Sequence, residues 1–519
     1  MNSTLFLTGF GVYVLFLIWL GWFVSRNQKS GEDFLLGGRG LPMFLVLGTT
    51  VATMVGTGSS MGAVGFGYAN GWAGALYGIG GAIGILLLAL WFAPVRKLNF
   101  MTMSEELAYY VGANRIVKNV VGVLIFVASI GWLGAHILGG GMYLAWIADI
   151  DLNLAKIIIA AAFTIYVVIG GYTAVVWTDT IQAIILFAGF ILMAVMSVDY
   201  IGGMDNLYAA MDPAATSFLA IDKLGLLPAV SLAVVIGVGV LATPSFRQRI
   251  YSGKDVSTVR RSFVASGVLY LFFSIIPAII GMAAHAIDPT LDNANYSFPY
   301  VAATVLPVGV GMIVLIAGLS ATMSSASSDA IAGVSILLRD VYVMFTGRVP
   351  NKESMVNYSR LALIVVIGFA LLFALTSNDI IGYITKMIST VMSGMFVCGM
   401  LGRFWKRYNW QGALATLAGA SVASFVVMLN ADYTAFWGNP VIPSCLVALT
   451  AGVLVSLCTP ANQVTPEMAK AILDDERALM EMELSDSGVL EEEAAPQRPA
   501  NLNAPQQVST TKLVQHVVE

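Results

Sequence analysis

Long apolar runs alternate with short polar connections along most of this 519-residue chain. Each run is roughly 20 residues long, which is the length that an α-helix needs to cross the hydrocarbon core of a bilayer. The pattern predicts an all-α polytopic membrane protein with about thirteen transmembrane helices. The predicted spans are residues 4–24, 42–67, 71–94, 117–148, 153–172, 179–200, 227–246, 263–285, 298–340, 359–377, 380–401, 411–430 and 438–458.

Composition agrees with this class. The chain is 58% hydrophobic and only 11% charged, whereas a soluble domain carries about 25% charged residues. Cys398, Cys445 and Cys458 lie in or beside apolar runs, so no disulfide framework is indicated. The first run has no basic residue before it, while Arg26 and Lys29 follow it. It is therefore predicted to be a retained span with an outward N-terminus rather than a signal peptide.

Basic residues mark one side of the membrane. Nineteen lysines and arginines fall in five alternate loops, whereas the loops between them hold only Lys156 and Lys223. Because cytoplasmic loops are enriched in basic residues, this alternation predicts an external N-terminus and a cytoplasmic C-terminus. A missed or invented internal span would break the alternation. The expected location is the plasma membrane, which is the inner membrane in a bacterium.

The C-terminal segment differs from the rest of the chain. Residues 459–519 carry 11 acidic and 4 basic residues. Thr465-Pro466-Glu467 is typical of a helix start, so residues 466–484 are predicted to form a short amphipathic helix. The polar, proline-rich remainder is predicted to be disordered. Two interpretations of this acidic tail stay open: it binds a cytoplasmic partner, or it is solvated without a specific function.

The second predicted span is rich in glycine, which costs about 1 kcal/mol relative to alanine inside a helix. From this span alone, two interpretations stay open. The small residues allow neighbouring membrane helices to pack closely, or the helix is discontinuous near the midplane and its free carbonyls coordinate a cation. The glycines are Gly48, Gly56, Gly58, Gly62, Gly65 and Gly67.

A second interruption favours the discontinuous helix. Gly237, Gly239 and Pro244 lie inside the seventh predicted span, and proline removes a backbone hydrogen bond from a helix. The two interrupted spans open two successive sets of five, and an odd number of spans inverts the second set relative to the first. Paired broken helices at matching positions of inverted halves indicate the binding site of a secondary transporter.

Four stretches of the chain resemble the sodium:solute symporter family, which includes bacterial proline, pantothenate and sialic acid symporters and the sodium–glucose cotransporters. The resemblance runs in order from about residue 20 to residue 405. The stretches are SGEDFLLGGRGLP (30–42), GGYTAVVWTDTIQA (170–183), PSFRQRIYSGKD (244–255) and AGLSATMSSASSDAIAGVSILLRDVY (317–342).

The resemblance implies a fold and a function. The fold is a LeuT-like 5+5 inverted-repeat core with one preceding helix and two following helices. The function is sodium-coupled symport of a small organic solute by alternating access, without enzymatic activity. The implied partners are Na+, the solute and the lipid bilayer, and no nucleic acid. The expected organisation is residues 1–41 as the first helix and loop, 42–200 and 201–405 as the inverted repeats, 406–458 as the C-terminal helices and 459–519 as the acidic cytoplasmic tail.

Four serines within five residues of the ninth span, Ser324, Ser325, Ser327 and Ser328, stand beside Asp329. A lone serine often bonds only to its own helix, but this group offers several hard oxygen ligands of the kind that hard cations prefer. The resemblance implies that carbonyls of the first broken helix complete a principal sodium site. That site is predicted to comprise Ala52, Val55, Ala321, Ser324 and Ser325.

Some family members hold a second sodium ion, for which this chain has Asp179, Ser324, Ser327 and Ser328 at the matching positions. The serines lie at i, i+3 and i+4, on one face of a helix. An alternative is that the Asp179 carboxylate merely favours a helix N-terminus. Asp329 either guides the ion outward or pairs with a basic residue such as Arg339 or Arg96.

The resemblance places the solute between the two broken helices. A charged side chain inside a span, such as that of Lys386 in the predicted span 380–401, needs an anionic partner such as a substrate carboxylate. Two alternatives stay open: the side chain extends to the outer surface of the membrane, or it pairs with an acidic residue of a loop. His136 and Thr390 are further candidates; His136 is more typical of a packing residue than of a proton carrier. The predicted solute contacts are Met54, Gly56, Thr57, Gly58, Trp132, Ile236, Val240, Thr243, Lys386 and Ser389.

The mostly small or aliphatic candidates favour a small carboxylate or amino-acid-like solute over a sugar. At the first break, proline symporters are similar to a Ser-Asp-Met-Ser pattern, whereas this chain has Thr53-Met54-Val55-Gly56. This difference argues against proline as the solute. Two alternatives stay open: a proton-coupled transporter in which Asp179 or Asp329 titrates, and a transporter-like membrane sensor. A membrane enzyme is disfavoured because the chain has no HExxH motif and only three histidines, His136, His285 and His516.

Overall fold

Apolar helices fill the chain in the computed structural model, which describes residues 3–25, 36–350 and 354–481. Within these ranges no β-strand forms, and the only strand-like feature is one isolated backbone bridge. The helices up to residue 210 are α1 (Ser3–Ser25), α2 (Met43–Met54), α3 (Val64–Asn70), α4 (Ala75–Leu87), α5 (Met103–Tyr109), α6 (Arg115–Ala148), α7 (Leu152–Tyr200) and α8 (Met204–Ala210).

The elements that the structure describes after residue 210 are also helices. They are α9 (Ile221–Leu224), α10 (Leu226–Ala242), α11 (Pro244–Ser252), α12 (Val256–Phe273), α13 (Ile275–Ile287), α14 (Ser297–Val305), α15 (Val308–Ile336), α16 (Tyr342–Thr346), α17 (Met355–Ala374), α18 (Ile380–Met387), α19 (Ser393–Phe404), α20 (Trp410–Met428), α21 (Ala431–Trp437), α22 (Val441–Cys458) and α23 (Pro466–Glu481). Short π-helical segments, Gly58–Ala63, Leu88–Phe92, Leu337–Val341 and Ile388–Met392, adjoin several of them.

The described residues contain nine helical stretches long and apolar enough to cross a membrane, together with one bent pair that is long enough as a unit. Three shorter apolar helices, Thr8–Val24, Met43–Met54 and Leu152–Ile165, complete the set. Each of the thirteen predicted runs overlaps one of these helices. The all-α membrane class is therefore confirmed, while the number of crossings stays a prediction.

The second predicted span is broken, and its glycines also allow close packing. Val55 ends α2 in a non-helical conformation (φ −87°, ψ 45°), and the helix resumes only at Gly58. Beyond the break, a Cβ atom on Gly67 would lie 3.0 Å from the Cα atom of Ala278 on α13. The glycine-rich stretch therefore contains a discontinuity in its middle and a close helix–helix contact at its far end.

The seventh predicted span is interrupted as expected. Helices α10 and α11 meet at a 45° bend, where Thr243 adopts an extended conformation (φ −73°, ψ 126°) and Pro244 begins α11. Proline is well suited to the first position of a helix because no intrahelical partner is lost there. The bend therefore has a local cause in the sequence.

Two predicted boundaries are wrong. The run 298–340 is divided between α14 and α15, because Leu306 is extended (φ −89°, ψ 146°) before Pro307, as residues that precede proline usually are. Conversely, the predicted spans 153–172 and 179–200 belong to one helical run of 49 residues, α7, in which no proline separates them. At about 1.5 Å per residue this run is far longer than a bilayer is thick.

A short backbone bridge joins the two halves at the end of the molecule that is predicted to be cytoplasmic. The Leu41 N–H donates to the Ser252 carbonyl (3.3 Å), and the Lys254 N–H donates to the Leu41 carbonyl (3.1 Å). Leu41 precedes the first broken helix, and Ser252 ends the second. Main-chain hydrogen bonds thus join the segment before the first broken helix to the segment that follows the second.

The predicted C-terminal helix forms, with Thr465 Oγ1 accepting a hydrogen bond from the Met468 N–H at 3.3 Å. This helix, α23, packs against the main body through buried Leu473 and two ion pairs. Glu476 accepts from Lys118 at 2.9 Å, and Arg477 donates to Glu105 of α5 at 2.7 Å. The polar stretch beyond it, predicted to be disordered, lies outside the described residues, as do residues 26–35.

Candidate sodium and solute sites

The serines of α15 face the broken end of α2. Ser324 Oγ donates to the Ala52 carbonyl at 3.2 Å and to the Ala321 carbonyl of its own helix at 3.1 Å. Ser325 Oγ donates to the Thr53 carbonyl at 3.0 Å. Both serines are fully buried, and Val55 ends α2 beside them. Hydroxyl and carbonyl oxygens therefore converge where α2 loses its helical hydrogen bonds.

A carboxylate lies next to these serines. Asp179 of α7 is fully buried, and its Oδ2 accepts hydrogen bonds from Ser328 Oγ at 3.0 Å and from Thr49 Oγ1 at 2.6 Å. Ser327 Oγ instead donates to the carbonyl of Ser324 within α15, at 2.9 Å. Asp179 thus bonds to side chains of α2 and α15 rather than acting only on the end of its own helix.

A buried guanidinium occupies the space between these groups. Arg249 Nη2 lies 3.7 Å from Asp179 Oδ2 and donates to the hydroxyls of Thr49 and Ser328, both at 2.8 Å. The same nitrogen donates to the Thr49 carbonyl at 3.2 Å and to Thr53 Oγ1. Sequence reasoning assigned no role to Arg249, although the residue lies inside a stretch that carries the family resemblance.

A small cavity opens between the two broken helices, with about 30 Å³ of space for the centres of water-sized spheres. On this measure the cavity has room for about two water molecules. Its lining combines aliphatic and aromatic side chains with a few polar groups. The lining residues are Thr53, Met54, Gly56, Gly58, Tyr77, Trp132, His136, Ile236, Val240, Thr243, Ser245, Phe246 and Asp329.

A histidine and an aspartate form the polar side of this cavity. His136 Nε2 lies 3.2 Å from Asp329 Oδ2, and Nδ1 lies 3.0 Å from Thr57 Oγ1. Asp329 was expected to guide the ion or to pair with Arg339 or Arg96, whereas its partner is His136. Trp132 Nε1 and Ser245 Oγ are buried and make no hydrogen bond within the described residues. The cavity therefore offers both an acceptor and unused donors.

Comparison with known sequences identifies the family. The sequence profile of the sodium:solute symporter family matches residues 34–419 of this chain, well over half of its length. The chain belongs to the sodium:solute symporter family. Its members are transporters rather than enzymes, so this integral membrane protein imports a solute by sodium-coupled alternating access, with Na+ as the coupling ion.

Two curated relatives illustrate the range of this family. A sodium/glucose cotransporter of Vibrio parahaemolyticus is 28% identical over 451 residues, which cover 78% of this chain and 81% of the relative. An osmoregulated proline transporter of Bacillus subtilis is 25% identical over 469 residues, which cover 86% and 94%. Their solutes differ in chemistry, so membership alone does not name the solute of this symporter.

A solved structure supports the fold. The chain resembles a substrate-bound, outward-open Na+-coupled sialic acid symporter with a TM-score of 0.75, over 90% of this chain and 99% of the other, at 21% identity. At this identity the comparison shows the fold alone. The LeuT-like architecture expected from the sequence motifs is thereby confirmed for this symporter.

Not every predicted solute contact of this symporter reaches the cavity. Seven of the ten predicted residues line it, and Thr57 supports it through His136. The Lys386 side chain is exposed, buried Ser389 does not line the cavity, and Thr390 Oγ1 lies 3.0 Å from Ser424 Oγ. The π-helical segment Ile388–Met392 changes the faces that regular helical spacing predicts here.

Five lining residues were not predicted as solute contacts, and one of them, Asp329, was considered only as an ion guide or as part of an ion pair. Ser245 and Phe246 follow Pro244 at the start of α11, inside a stretch that carries the family resemblance, so the start of that helix was the available signal. Thr53 precedes Met54 at the end of α2. Tyr77 of α4 had no local signal, because it reaches the cavity only where Gly58 leaves room for its ring.

Proposed function

We propose that this symporter imports a small amino-acid-like solute, bound as a zwitterion in the cavity between the two broken helices. The observation that carries the proposal is the polar content of the lining: one carboxylate, Asp329, faces a cavity where the Trp132 N–H and the Ser245 hydroxyl have no hydrogen-bond partner among the described residues. A zwitterion supplies an ammonium group that pairs with Asp329 and a carboxylate that accepts from the Trp132 N–H and the Ser245 hydroxyl.

Charge favours the amino-acid-like solute over the plain carboxylate that the sequence also suggested. No lysine or arginine is among the described residues that line the cavity, and Lys386 is exposed elsewhere. A plain carboxylate would meet the like charge of Asp329 at close range, which is unfavourable in a poorly solvated site. An added ammonium group removes this repulsion, while Met54, Ile236 and Val240 accept an aliphatic body.

The proposed principal sodium site comprises Ala52, Val55, Ala321, Ser324 and Ser325. The Ser324 and Ser325 hydroxyls donate to α2 carbonyls at 3.2 and 3.0 Å. When a hydroxyl hydrogen rotates away, the serine and carbonyl oxygens together present the hard ligands that suit a hard cation. Ser325 also lies beside Gly56, which lines the cavity. Sodium bound there would order α2 next to the solute and so couple the two binding events.

We also propose the orientation and organisation that the sequence predicts, with residues 42–200 and 201–405 as inverted halves, an external N-terminus and a cytoplasmic C-terminus. Any cytoplasmic partner would bind the acidic segment beyond α23, because α23 itself packs on the main body through Lys118 and Glu105. The expected membrane is the plasma membrane, consistent with coupling to a sodium gradient.

Thermal stability of the purified protein tests the solute class, since a ligand that binds the folded state raises stability by mass action. Matched compounds with the same carbon skeleton would be compared as amino acid, amine and carboxylate, each in sodium and in choline. We expect the amino acids to stabilise the protein most, and only in sodium. Equal stabilisation by the carboxylates that lack an amine would contradict the proposal.

Asp329→Asn is the matching variant. It should abolish the preference for amino acids over carboxylates while leaving stabilisation by sodium alone in place. Asp340→Asn is the control, because Asp340 is also a buried carboxylate of this region but bonds to Ser104 at 2.6 Å, away from the cavity lining. An unchanged preference in Asp329→Asn would exclude Asp329 as the ammonium partner.

A further inference from the structure

Arg249 contacts two of the four residues that are implied for a second sodium ion. The residues that the family resemblance implies for that ion are Asp179, Ser324, Ser327 and Ser328, and the Arg249 guanidinium contacts two of them: it lies 3.7 Å from Asp179 Oδ2 and 2.8 Å from Ser328 Oγ. Both Arg249 and Asp179 are fully buried. A permanent positive charge thus already sits beside the one carboxylate of this site.

Two hydroxyls connect the charges. Thr49 Oγ1 and Ser328 Oγ each donate to Asp179 Oδ2, at 2.6 and 3.0 Å. Each also accepts from Arg249 Nη2 at 2.8 Å. The hydroxyl oxygens that could coordinate a metal ion therefore already accept from the guanidinium.

The other two implied ligands donate to backbone carbonyls, which leaves their oxygen lone pairs free, so the guanidinium rather than these serines decides whether an ion fits. Ser324 Oγ donates to carbonyls of Ala52 and Ala321, and Ser327 Oγ donates within α15. A sodium ion entering here would have to displace the guanidinium or lie next to it without water between them. Because arginine does not lose its proton in proteins, and like charges repel strongly where water is excluded, the second arrangement is unfavourable.

We propose that the Arg249 guanidinium takes the place of a second sodium ion, so that this symporter binds one sodium ion, at the principal site. The inference rests on the principal site assigned under the proposed function. Arg249 belongs to α11, the second half of a broken helix, and it bonds to α2, the first half of the other. In this chain a residue of one broken helix supplies the positive charge that a second sodium ion would bring.

Equilibrium binding of radioactive sodium to the purified protein tests this stoichiometry. We expect one ion per wild-type protein and a Hill coefficient near 1 for stabilisation by sodium. Arg249→Gln should bind two ions, because it frees Asp179 and the two hydroxyls, and its Hill coefficient should rise toward 2. Adding Asp179→Asn to Arg249→Gln should restore one ion, and Arg249→Lys should keep one because it retains the charge.

Arg247→Gln is the matched control. Arg247 is an equally buried arginine two residues away on α11, but it pairs with Glu106 at 3.0 Å and contacts none of the implied sodium ligands. Its replacement should leave one sodium ion bound. Two ions on the wild-type protein would overturn the inference even if Arg249→Gln does not fold, and so would a single ion on folded Arg249→Gln at saturating sodium. No bound ion on the wild-type protein would contradict the principal site itself, which is a different failure.

Discussion

Ser324 and Ser325 contribute to the proposed sodium site with single oxygen atoms, so each is open to a clean substitution. Replacing either by alanine removes one ligand of five, and a lost polar interaction of this kind costs about 1–2 kcal/mol. We therefore expect Ser324→Ala and Ser325→Ala each to raise the sodium concentration for half-maximal uptake roughly tenfold. Sodium titrations of uptake in vesicles measure this directly.

Ser335→Ala is the control for these variants. Ser335 lies on the same helix, but its hydroxyl donates to the Ile331 carbonyl one turn back and touches neither α2 nor the cavity. Its sodium dependence should equal that of the wild type. The principal site is wrong if all three variants behave alike.

A substitution at Gly56, which faces Ser325 across the proposed principal sodium site, tests the same site. A Cβ atom at this position would overlap Ser325 Oγ and lie 3.3 Å from His136 Cε1. Gly56→Ala should therefore displace a sodium ligand and narrow the cavity at once, which we expect to reduce uptake at least tenfold. Uptake at saturating sodium and solute provides the measurement.

Gly368 of α17 offers the matching substitution, since nothing lies within 4 Å of a Cβ atom placed there. Gly368→Ala should preserve uptake, because alanine also favours the helix. Normal uptake by Gly56→Ala would show that the space beside Ser325 is not needed.

Single residues also show which features the sequence indicates by itself and which depend on packing. The serines of α15 were predictable because four hydroxyls beside an acid form a local pattern. Arg249 was not, since its position opposite Asp179 depends on how α7 and α11 pack. Lys386 was suggested because a charge inside an apolar run draws attention, but hydropathy does not say which face of the helix carries it.

Helix α23 is held to the main body by polar contacts that respond to pH. Burial would raise the pKa of Glu105, but the positive charges of Arg477 and Lys118 and the Met101 N–H outweigh it and lower the pKa below its ordinary 4.5. A lowered pKa in the folded state means that the interaction stabilises the protein above the ordinary pKa. That contribution disappears as the pH falls through the lowered value.

Arg477→Ala should therefore destabilise the protein in a pH-dependent way. We expect a loss of about 1–2 kcal/mol at pH 7, as for a partly buried, charge-assisted hydrogen bond. The difference from the wild type should shrink as the pH falls below the ordinary pKa of glutamate. Thermal unfolding of both proteins at several pH values measures the change.

Lys470→Ala serves as the comparison within the same helix. Lys470 pairs only with Asp474 of α23 in the described contacts, and such exposed pairs contribute little. Its effect should stay below about 0.5 kcal/mol. A loss for Arg477→Ala that does not change with pH would mean that Glu105 is not the responsible partner.

At the scale of helices, apolar length was a reliable guide and connectivity was not. Runs of about 20 apolar residues located the helices, because the bilayer imposes that length. The break at Pro307 and the continuity of α7 escaped prediction. Hydropathy reports neither feature. A single proline hardly changes the mean hydropathy of an apolar run, so the break at Pro307 is not visible. A glycine pair between two apolar runs does not always end a helix, so the continuity of α7 is not visible either.

The orientation of the whole molecule makes a prediction about access from each side. In a protein without its native cysteines, Asp292→Cys should react with an impermeant thiol reagent added to intact cells, whereas Lys254→Cys should react only after the membrane is opened. Both positions are exposed, so differences in burial do not decide the outcome. The reverse pattern would contradict the predicted orientation.

The backbone bridge between Leu41 and Gly253 has a consequence for the transport cycle. Its two hydrogen bonds join the chain entering one broken helix to the chain leaving the other. If this end of the molecule opens, both amide groups lose their partners and become free to exchange hydrogen with solvent. Deuterium uptake at the Leu41 and Lys254 amides would then rise together whenever the protein turns over. The exchange rate of these two peptide groups would report how often this end of the molecule opens.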